Sequence, residues 1–252
     1  MDHPAQETAP SGQLALWGAE ADSLRINIRE SRRSRRLCVR VDRDAVVEVV
    51  VPRGTPRRHV ASFLAQHEAW IARRVATAVA RPVEPFPPPL VTLEALGERW
   101  RLHLGGGRGR PRVSSASTGL LQVTGAEVDG PALRRLLRHW VIERARETLP
   151  DLAHAFARDA GFALSGVQVR TQRTRWGSCS MRRVLSLNAA ILFQPPPVLR
   201  YLLAHEVAHL RHMNHSKAFW GLVETLEPAW RELDRQLLRG WDRVPHWFRQ
   251  RA

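Results

Sequence analysis

Hydrophobic and polar residues alternate in the first patterned segment of the chain. Between residues 24 and 52, apolar side chains recur at every second position, as at Leu24, Ile26 and Ile28. Such alternation is typical of strands with one buried face. The segment therefore predicts two or three strands, with turns at 30–34 and 42–45.

A helical spacing follows these strands. From Pro56 onward, apolar residues such as Leu64 and Ile71 fall on one face of a helix. Residues 81–90 are then rich in proline, which is incompatible with a helix or a central strand and predicts a linker. Short apolar segments between 90 and 125 predict further strands around glycine turns.

The second half of the chain has a mainly helical pattern. Apolar residues at helical spacing run from Pro131 to Leu149, and Pro150 predicts a kink or a break there. The pattern continues as a second helix that ends at Gly161. Two alternating segments between residues 167 and 193 predict a hairpin.

Three further helices are predicted after this hairpin. The first is strongly apolar, the second begins after Ser216, and the last runs from Pro228 to Gly240. The whole pattern predicts an α+β fold. We expect a disordered tail over 1–23, a β-rich accessory region with one helix and a proline-rich linker over 24–129, and a separate C-terminal region over 130–252.

The net charge of the chain indicates acidic binding partners. The chain has 39 Lys and Arg against 24 Asp and Glu, which gives a net charge of +15. Such a charge favours nucleic acid, polyphosphates or membrane surfaces, although it can also serve solubility alone. A basic cluster on the first predicted hairpin fits either a nucleic-acid patch or a solvated edge protected by charge. It contains Arg29, Arg32, Arg33, Arg35, Arg36 and Arg40.

Cysteine content and hydropathy bear on location. Cys38 and Cys179 lie far apart in sequence and form no disulfide framework, which fits a reducing cytoplasm. The N-terminal residues are polar and do not resemble a signal peptide. Since no run approaches about 18 apolar residues, we expect no membrane-spanning segment. The cysteine content leads us to expect a cytoplasmic protein.

The strongest chemical signal is His-Glu-x-x-His at His205, Glu206 and His209. Residues four apart lie on the same face of a helix, so the two imidazoles can bind one ion. Imidazole nitrogen suits zinc. Glu206 lies about 100° around the helix, where its carboxylate would serve as a general base rather than as a ligand. Because the surrounding helix is apolar, these polar groups would need partners, which a metal supplies.

A catalytic zinc site normally has three protein ligands and an open position. His212 would lie about 10.5 Å along a continuous helix from His205, too far for one ion. His215 can reach the metal if the chain turns at Asn214, a residue type that tolerates the conformation that ends helices. The alternative is a more distant carboxylate on a following helix, and two are available: Glu224 and Glu227.

Three motifs together resemble the YgjP-like metallopeptidase family. They are RTRWGSCS from Arg173, LSLNAAILFQPP from Leu185 and HEVAHLRHMNHSKAFW from His205. The core of this family is similar to the SprT-like and WLM zinc proteases, and many of its members are described only as predicted metal-dependent hydrolases. The resemblance implies a zincin-like catalytic region over 130–252. It also implies one zinc held by His205, His209 and His215, with Glu206 as the catalytic acid and base.

Four further residues are candidates for substrate contacts or for support of the metal ligands. The RWGSC motif places Arg175 and Trp176 next to the site, and Asn214 precedes the third histidine. Tyr201 and Arg175 are candidates for stabilising an oxyanion. Cys179 is either a small buried residue or a thiolate that reaches the metal.

The sequence therefore predicts a zinc-dependent hydrolase, with a metallopeptidase that acts on peptides or proteins as the first hypothesis. In zincins, the strand beside the metal helix has a free edge to which an extended peptide can add. A metal-dependent hydrolase of nucleotide polyphosphates is the alternative, with the hairpin arginines holding the phosphates. A nucleic-acid-binding protein with a structural zinc is the third hypothesis.

Overall fold

The computed structural model describes residues 26–41, 45–80, 84–117, 119–126 and 129–249. The chain divides into two compact units, Met1–Val83 and Glu84–Ala252. Both contain helices and strands, and the α+β class is confirmed. The predicted tail over 1–23 lies outside the described residues.

The first unit is a three-stranded sheet with one helix. Its elements are β1 (Ile26–Ser31), β2 (Cys38–Val41), β3 (Val47–Pro52) and α1 (Arg57–Val79). The central strand β3 pairs in parallel with β1 and antiparallel with β2. Alternate valines of β3, such as Val47 and Val49, form a core with Leu64 and Ile71, as the two periodicities predicted.

The basic cluster lies on the surface of this first unit. All six of its arginines, from Arg29 to Arg40, are exposed. Arg29 lies 3.4 Å from Glu48 on the neighbouring strand, an exposed pair that contributes little to stability. Binding of nucleic acid by this surface stays a prediction.

The second unit contains two sheets around a long helix. Its strands are β4 (Leu90–Leu93), β5 (Glu98–Leu104), β6 (Arg112–Ser117), β7 (Leu120–Thr124), β8 (Gly166–Arg170), β9 (Gly177–Cys179) and β10 (Val184–Asn188). Its helices are α2 (Gly130–Asp159), α3 (Pro196–Ala208), α4 (Lys217–Leu226), α5 (Trp230–Leu238) and α6 (His246–Arg249). Short 3-10 helices cover Glu94–Leu96, Ala189–Phe193 and Gly240–Asp242. The sheets have the orders β4-β5-β7-β6 and β8-β10-β9.

The unit boundary differs from the predicted division between residues 129 and 130. Strands β4 to β7 share one hydrophobic core with α2: Val91 and Leu121 pack in the same cluster as Leu137 and Val141. A sheet that buries its apolar face on a helix belongs to the same unit as that helix. The second unit therefore begins at Glu84, within the proline-rich segment.

Of the kink or break predicted at Pro150, the break is wrong, because helix α2 continues through this residue. Its buried stripe runs without interruption past the proline, from Ala145 and Leu149 to Ala153 and Ala157. A proline removes one helical hydrogen bond, and burial of this continuous stripe offsets that loss.

Helix α3 lies in the centre of the second unit. Apolar residues on all of its sides are buried, among them Val198, Leu202, Leu203 and Val207. It contacts α2, α4, α5 and β9, so its position is fixed from several directions. None of the helices within the described residues has the length and hydrophobicity needed to cross a membrane.

Candidate metal centre

Helix α3 presents His205 and Glu206 in its last turn, and His209 follows its end directly. Two prolines, Pro195 at the N-cap and Pro196 at the first helical position, set the start of the helix. The rings of His205 and His209 have their centroids 5.2 Å apart. The predicted pair of imidazoles on one helix face is therefore present.

His215 joins this pair because α3 ends early. His209 is the C-cap residue, with φ −65° and ψ −18°. The next amides turn back onto the helix: Leu210 donates to Val207 O at 2.9 Å and His212 donates to Ala208 O at 3.0 Å. The chain then bends at 213–214, where the turn at Asn214 was predicted, and His215 follows directly.

The three histidines form a compact group of donors. Their ligand atoms all lie within 4.8 Å of one another, and Nε2 of His215 is 3.1 Å from Nε2 of His205. Burial lowers the pKa of His205 to about 4, and the neighbouring histidines add to this effect. Burial likewise lowers the pKa of His209. Both rings are thus neutral near pH 7, the form that binds metals.

The alternative third ligands are engaged elsewhere. Glu224 pairs with Arg231 at 2.7 Å, and Glu227 accepts a hydrogen bond from Arg200 at 3.0 Å. His212 is not part of the donor group found among the described residues. Three imidazoles fit zinc, with a position left for water.

Hydrogen bonds to the other ring nitrogens select the tautomers of two of these histidines. Nδ1 of His209 lies 3.1 Å from the carbonyl oxygen of His212, which can only accept, so Nε2 is left for a metal. The Tyr201 hydroxyl donates to Asp234 at 2.7 Å and lies 3.4 Å from Nδ1 of His205. Its oxygen can thus accept from Nδ1–H and leave Nε2 of His205 free.

This second interaction bears on the two roles considered for Tyr201, stabilisation of an oxyanion and support of a metal ligand. Tyr201 is 1% exposed and bound to Asp234 beside His205, a position that fits support of a ligand better than contact with an oxyanion. Asp234, on α5, belongs to no sequence motif from which its contact with Tyr201 could be predicted.

Aromatic rings enclose the histidines. The ring of Phe219 on α4 lies 5.1 Å from that of His205, 4.6 Å from that of His209 and 4.7 Å from that of His215. Trp220 stacks on His215 at 5.6 Å. This packing restricts the three imidazoles to a small volume, which lowers the entropy cost of binding an ion.

Glu206 is buried beside the three histidines. It is 4% exposed, and its Oε2 atom has no hydrogen-bond partner among the described residues. Burial raises its pKa to about 8. A buried carboxyl without a partner is costly, whereas a cation nearby would favour its ionised form. The orphaned oxygen therefore fits a site that binds a metal ion.

Strand β9 lies against Glu206 at the edge of its sheet. A Cβ atom built on Gly177 would lie only 2.5 Å from Oε1 of Glu206, so this approach requires glycine. Hydrogen bonds from Asn188 N to Trp176 O and from Ser180 N to Val184 O set the antiparallel pairing with β10. By alternation, the main chain of Gly177 and Cys179 points away from β10, towards the outer edge.

The remaining predicted residues are distributed around this edge. Arg175 is exposed, and Trp176 is buried and stacks on Trp241 at 4.2 Å. Asn214 is exposed. Burial raises the pKa of Cys179 to about 11, with a contribution from Glu206. It is thus a thiol near pH 7, as expected for a small, partly buried residue.

Comparisons with known proteins give one family match and two partial similarities. A family model described as "YgjP-like, metallopeptidase domain" matches residues 35–239. The UTP pyrophosphatase of Escherichia coli (strain K12) is 31% identical over 71 residues, which are 27% of this chain and 41% of that protein. The similarity thus spans about two-fifths of the length of that curated relative. The metallopeptidase zymogen of Pyrococcus abyssi abylysin is 24% identical, covers 36% of this chain and 93% of its own, and has a TM-score of 0.34.

Proposed function

Because this chain belongs to the YgjP-like metallopeptidase domain family, we propose that it is a zinc-dependent peptidase with Glu206 as its general base. The family membership itself supports a metal-dependent hydrolase. The choice of zinc, of a peptide substrate and of the individual site residues is the proposal.

One observation carries the proposal: Glu206, which follows His205 of the three-histidine group on α3, is buried against the edge strand β9. Structural zinc sites normally have four protein ligands, whereas catalytic sites have three and an open position. The donor group found among the described residues contains three. This supports a catalytic site over a structural one.

The ligands of the proposed zinc are His205, His209 and His215. When bound there, the ion supplies Lewis acidity, which activates water and polarises the bond under attack. Glu206 accepts the proton of the attacking water and then transfers it to the leaving nitrogen. Asp234 and Tyr201 hold His205 in its ligand tautomer.

A peptide substrate is supported by the main chain of β9. Gly177 and Cys179 present main-chain groups at the sheet edge beside Glu206, and no described residue pairs with these groups. An extended peptide can pair with such an edge, and this places its carbonyl groups along the strand. Both cysteines are free, which fits the proposed cytoplasmic location.

Hydrolysis of a nucleotide is the second candidate. It is favoured by the similarity to the UTP pyrophosphatase of Escherichia coli over 71 residues. The same centre would then act on phosphorus, with Glu206 again accepting the proton of the attacking water.

A parallel screen of substrates tests these candidates. Zinc-loaded protein is incubated with a peptide library, with unfolded proteins and with the common nucleoside triphosphates. Glu206→Gln protein, prepared in the same way, is the control. We expect peptide cleavage that depends on Glu206. Release of pyrophosphate or phosphate without peptide cleavage would replace the peptidase with the second candidate, and no turnover with any substrate would contradict both.

A further inference from the structure

The loop between β8 and β9 carries two arginines that the proposed reaction does not use. Arg173 and Arg175 are exposed. Within the described part of the chain, neither has an acidic side chain within ion-pair distance. Several other arginines of this unit are engaged: Arg183 donates to Ala163 O at 3.0 Å, and Arg200 donates to Glu227 at 3.0 Å.

This loop is fixed in place by a buried side chain. Asn188 is 3% exposed, and its Nδ2 atom donates to Gln172 O at 2.7 Å and to Arg175 O at 2.8 Å. Its main-chain nitrogen donates to Trp176 O at 2.7 Å. Both sides of the arginine-bearing segment are therefore anchored to β10.

The anchored segment lies close to the candidate metal centre. Arg175 precedes Gly177 by two residues, a separation of at most about 7 Å along the chain. Gly177 in turn contacts Glu206. The guanidinium groups thus extend from main chain that is held at the rim of the site.

Among the residues that the structure describes, no ion pair compensates the charges of this segment. Two cations are held within three residues, and the carboxyl of Glu206, which lies against the neighbouring Gly177, is buried. A guanidinium presents a planar fork of N–H donors that matches phosphate and carboxylate oxygens. Two guanidinium groups on an anchored segment are therefore suited to binding an anion.

We propose that Arg173 and Arg175 form an anion-binding subsite, which holds a phosphate or carboxylate group of the substrate beside the metal centre. The inference rests on the proposed hydrolase function, because it concerns the charge of the substrate that the same site would hydrolyse. It predicts that neutral peptides bind poorly and that anionic substrates bind well.

Equilibrium binding tests the subsite without any need for catalysis. Isothermal titration calorimetry is performed at low salt on the full chain. No metal is added, so that the measured heat cannot come from chelation of zinc by the anion. The probes are inorganic tripolyphosphate, an acetylated tetra-aspartate peptide and its tetra-asparagine counterpart. We expect one of the two anions to bind and the asparagine peptide not to bind. Binding of tripolyphosphate would identify the anionic group of the substrate as a phosphate. Binding of the aspartate peptide would identify it as a carboxylate.

Single-residue variants distinguish binding at a specific subsite from nonspecific electrostatic attraction to a basic protein. Arg173→Gln and Arg175→Gln should each weaken binding of the anion about tenfold, the effect of losing one charge-assisted pair. Lysine at either position should restore part of the affinity, because it keeps the charge but not the fork. Arg182→Gln is the matched control, since Arg182 is exposed at the opposite end of β9. It should leave the affinity unchanged.

Three results would overturn the subsite: no anion binding by the wild type, no loss in the Arg173→Gln and Arg175→Gln variants, or an equal loss in Arg182→Gln. Its failure is distinguishable from failure of the proposed function. Turnover that depends on Glu206 but not on either arginine would remove the subsite alone. Arginine-dependent binding without any turnover by the zinc-loaded protein would leave the subsite and remove the hydrolase.

Discussion

Replacement of Gly177 by alanine should displace the proposed general base. The added Cβ atom would lie 2.5 Å from Oε1 of Glu206 and 2.9 Å from both Cδ and Cγ. Carbon atoms normally approach other heavy atoms no closer than about 3.5 Å. The carboxyl group or the strand must therefore move by about 1 Å. Because Glu206 is buried and its Cγ atom is also in conflict, rotation of the carboxyl group alone does not remove the overlap.

A displacement of this size has a predictable effect on rate. A misplacement of about 1 Å at a catalytic group costs about 10²-fold in rate. Since Glu206 is not a ligand in this account, the Gly177→Ala protein should keep its zinc. Crowding in the core should also lower stability by about 1–3 kcal/mol.

The assay compares kcat/KM, zinc content and thermal unfolding for the variant and the wild type. Gly221→Ala on α4 is the matched control, because a Cβ atom there meets nothing within 4 Å. That control should keep its activity and gain helix stability. Full activity of Gly177→Ala, with folding and zinc intact, would refute the idea that Glu206 must hold this position.

Three further predictions follow from the other contacts of the site. His215→Ala should lose zinc while His212→Ala retains it, as metal analysis would show; the opposite result would reassign the third ligand. Asp234→Asn should weaken zinc binding about 10–100-fold by loosening His205, which a competitive chelator titration measures; an unchanged affinity would contradict that role. Burial raises the pKa of Glu206 from 4.5 to about 8, so unfolding of the metal-free chain releases a proton between these values and stability falls as the pH rises. Metal-free Glu206→Gln should therefore melt at a higher temperature than the wild type near pH 8, with a smaller difference near pH 5.

The parts of the site that depend on local spacing could be predicted from the sequence. A four-residue separation places His205 and His209 on one helix face whatever the rest of the fold does. The prediction that His215 lies beside the other two histidines required only that the chain turn after His209. Residues 210–212 still bond back to α3, and the chain bends at 213–214, beside the predicted position Asn214.

The parts that depend on long-range packing could not be predicted. Asp234 lies 33 positions from its partner Tyr201, and no local pattern connects them. The contact of Gly177 with Glu206 arises from the packing of β9 on α3. Helix α2 passes through Pro150 because tertiary burial outweighs local propensity. The unit boundary depends on which helix covers a sheet, and hydrophobic periodicity does not contain that information.

The central claim is that Glu206 is a general base beside a zinc ion held by three histidines. A paired measurement of zinc content and turnover on the wild type and on Glu206→Gln tests it most directly. Glutamine nearly matches glutamate in shape but cannot accept a proton near pH 7. We predict full zinc content and a loss of turnover of about 10²–10⁴-fold. Full zinc with unchanged turnover would show that Glu206 is not the base, and lost zinc would show that it belongs to the ligand set.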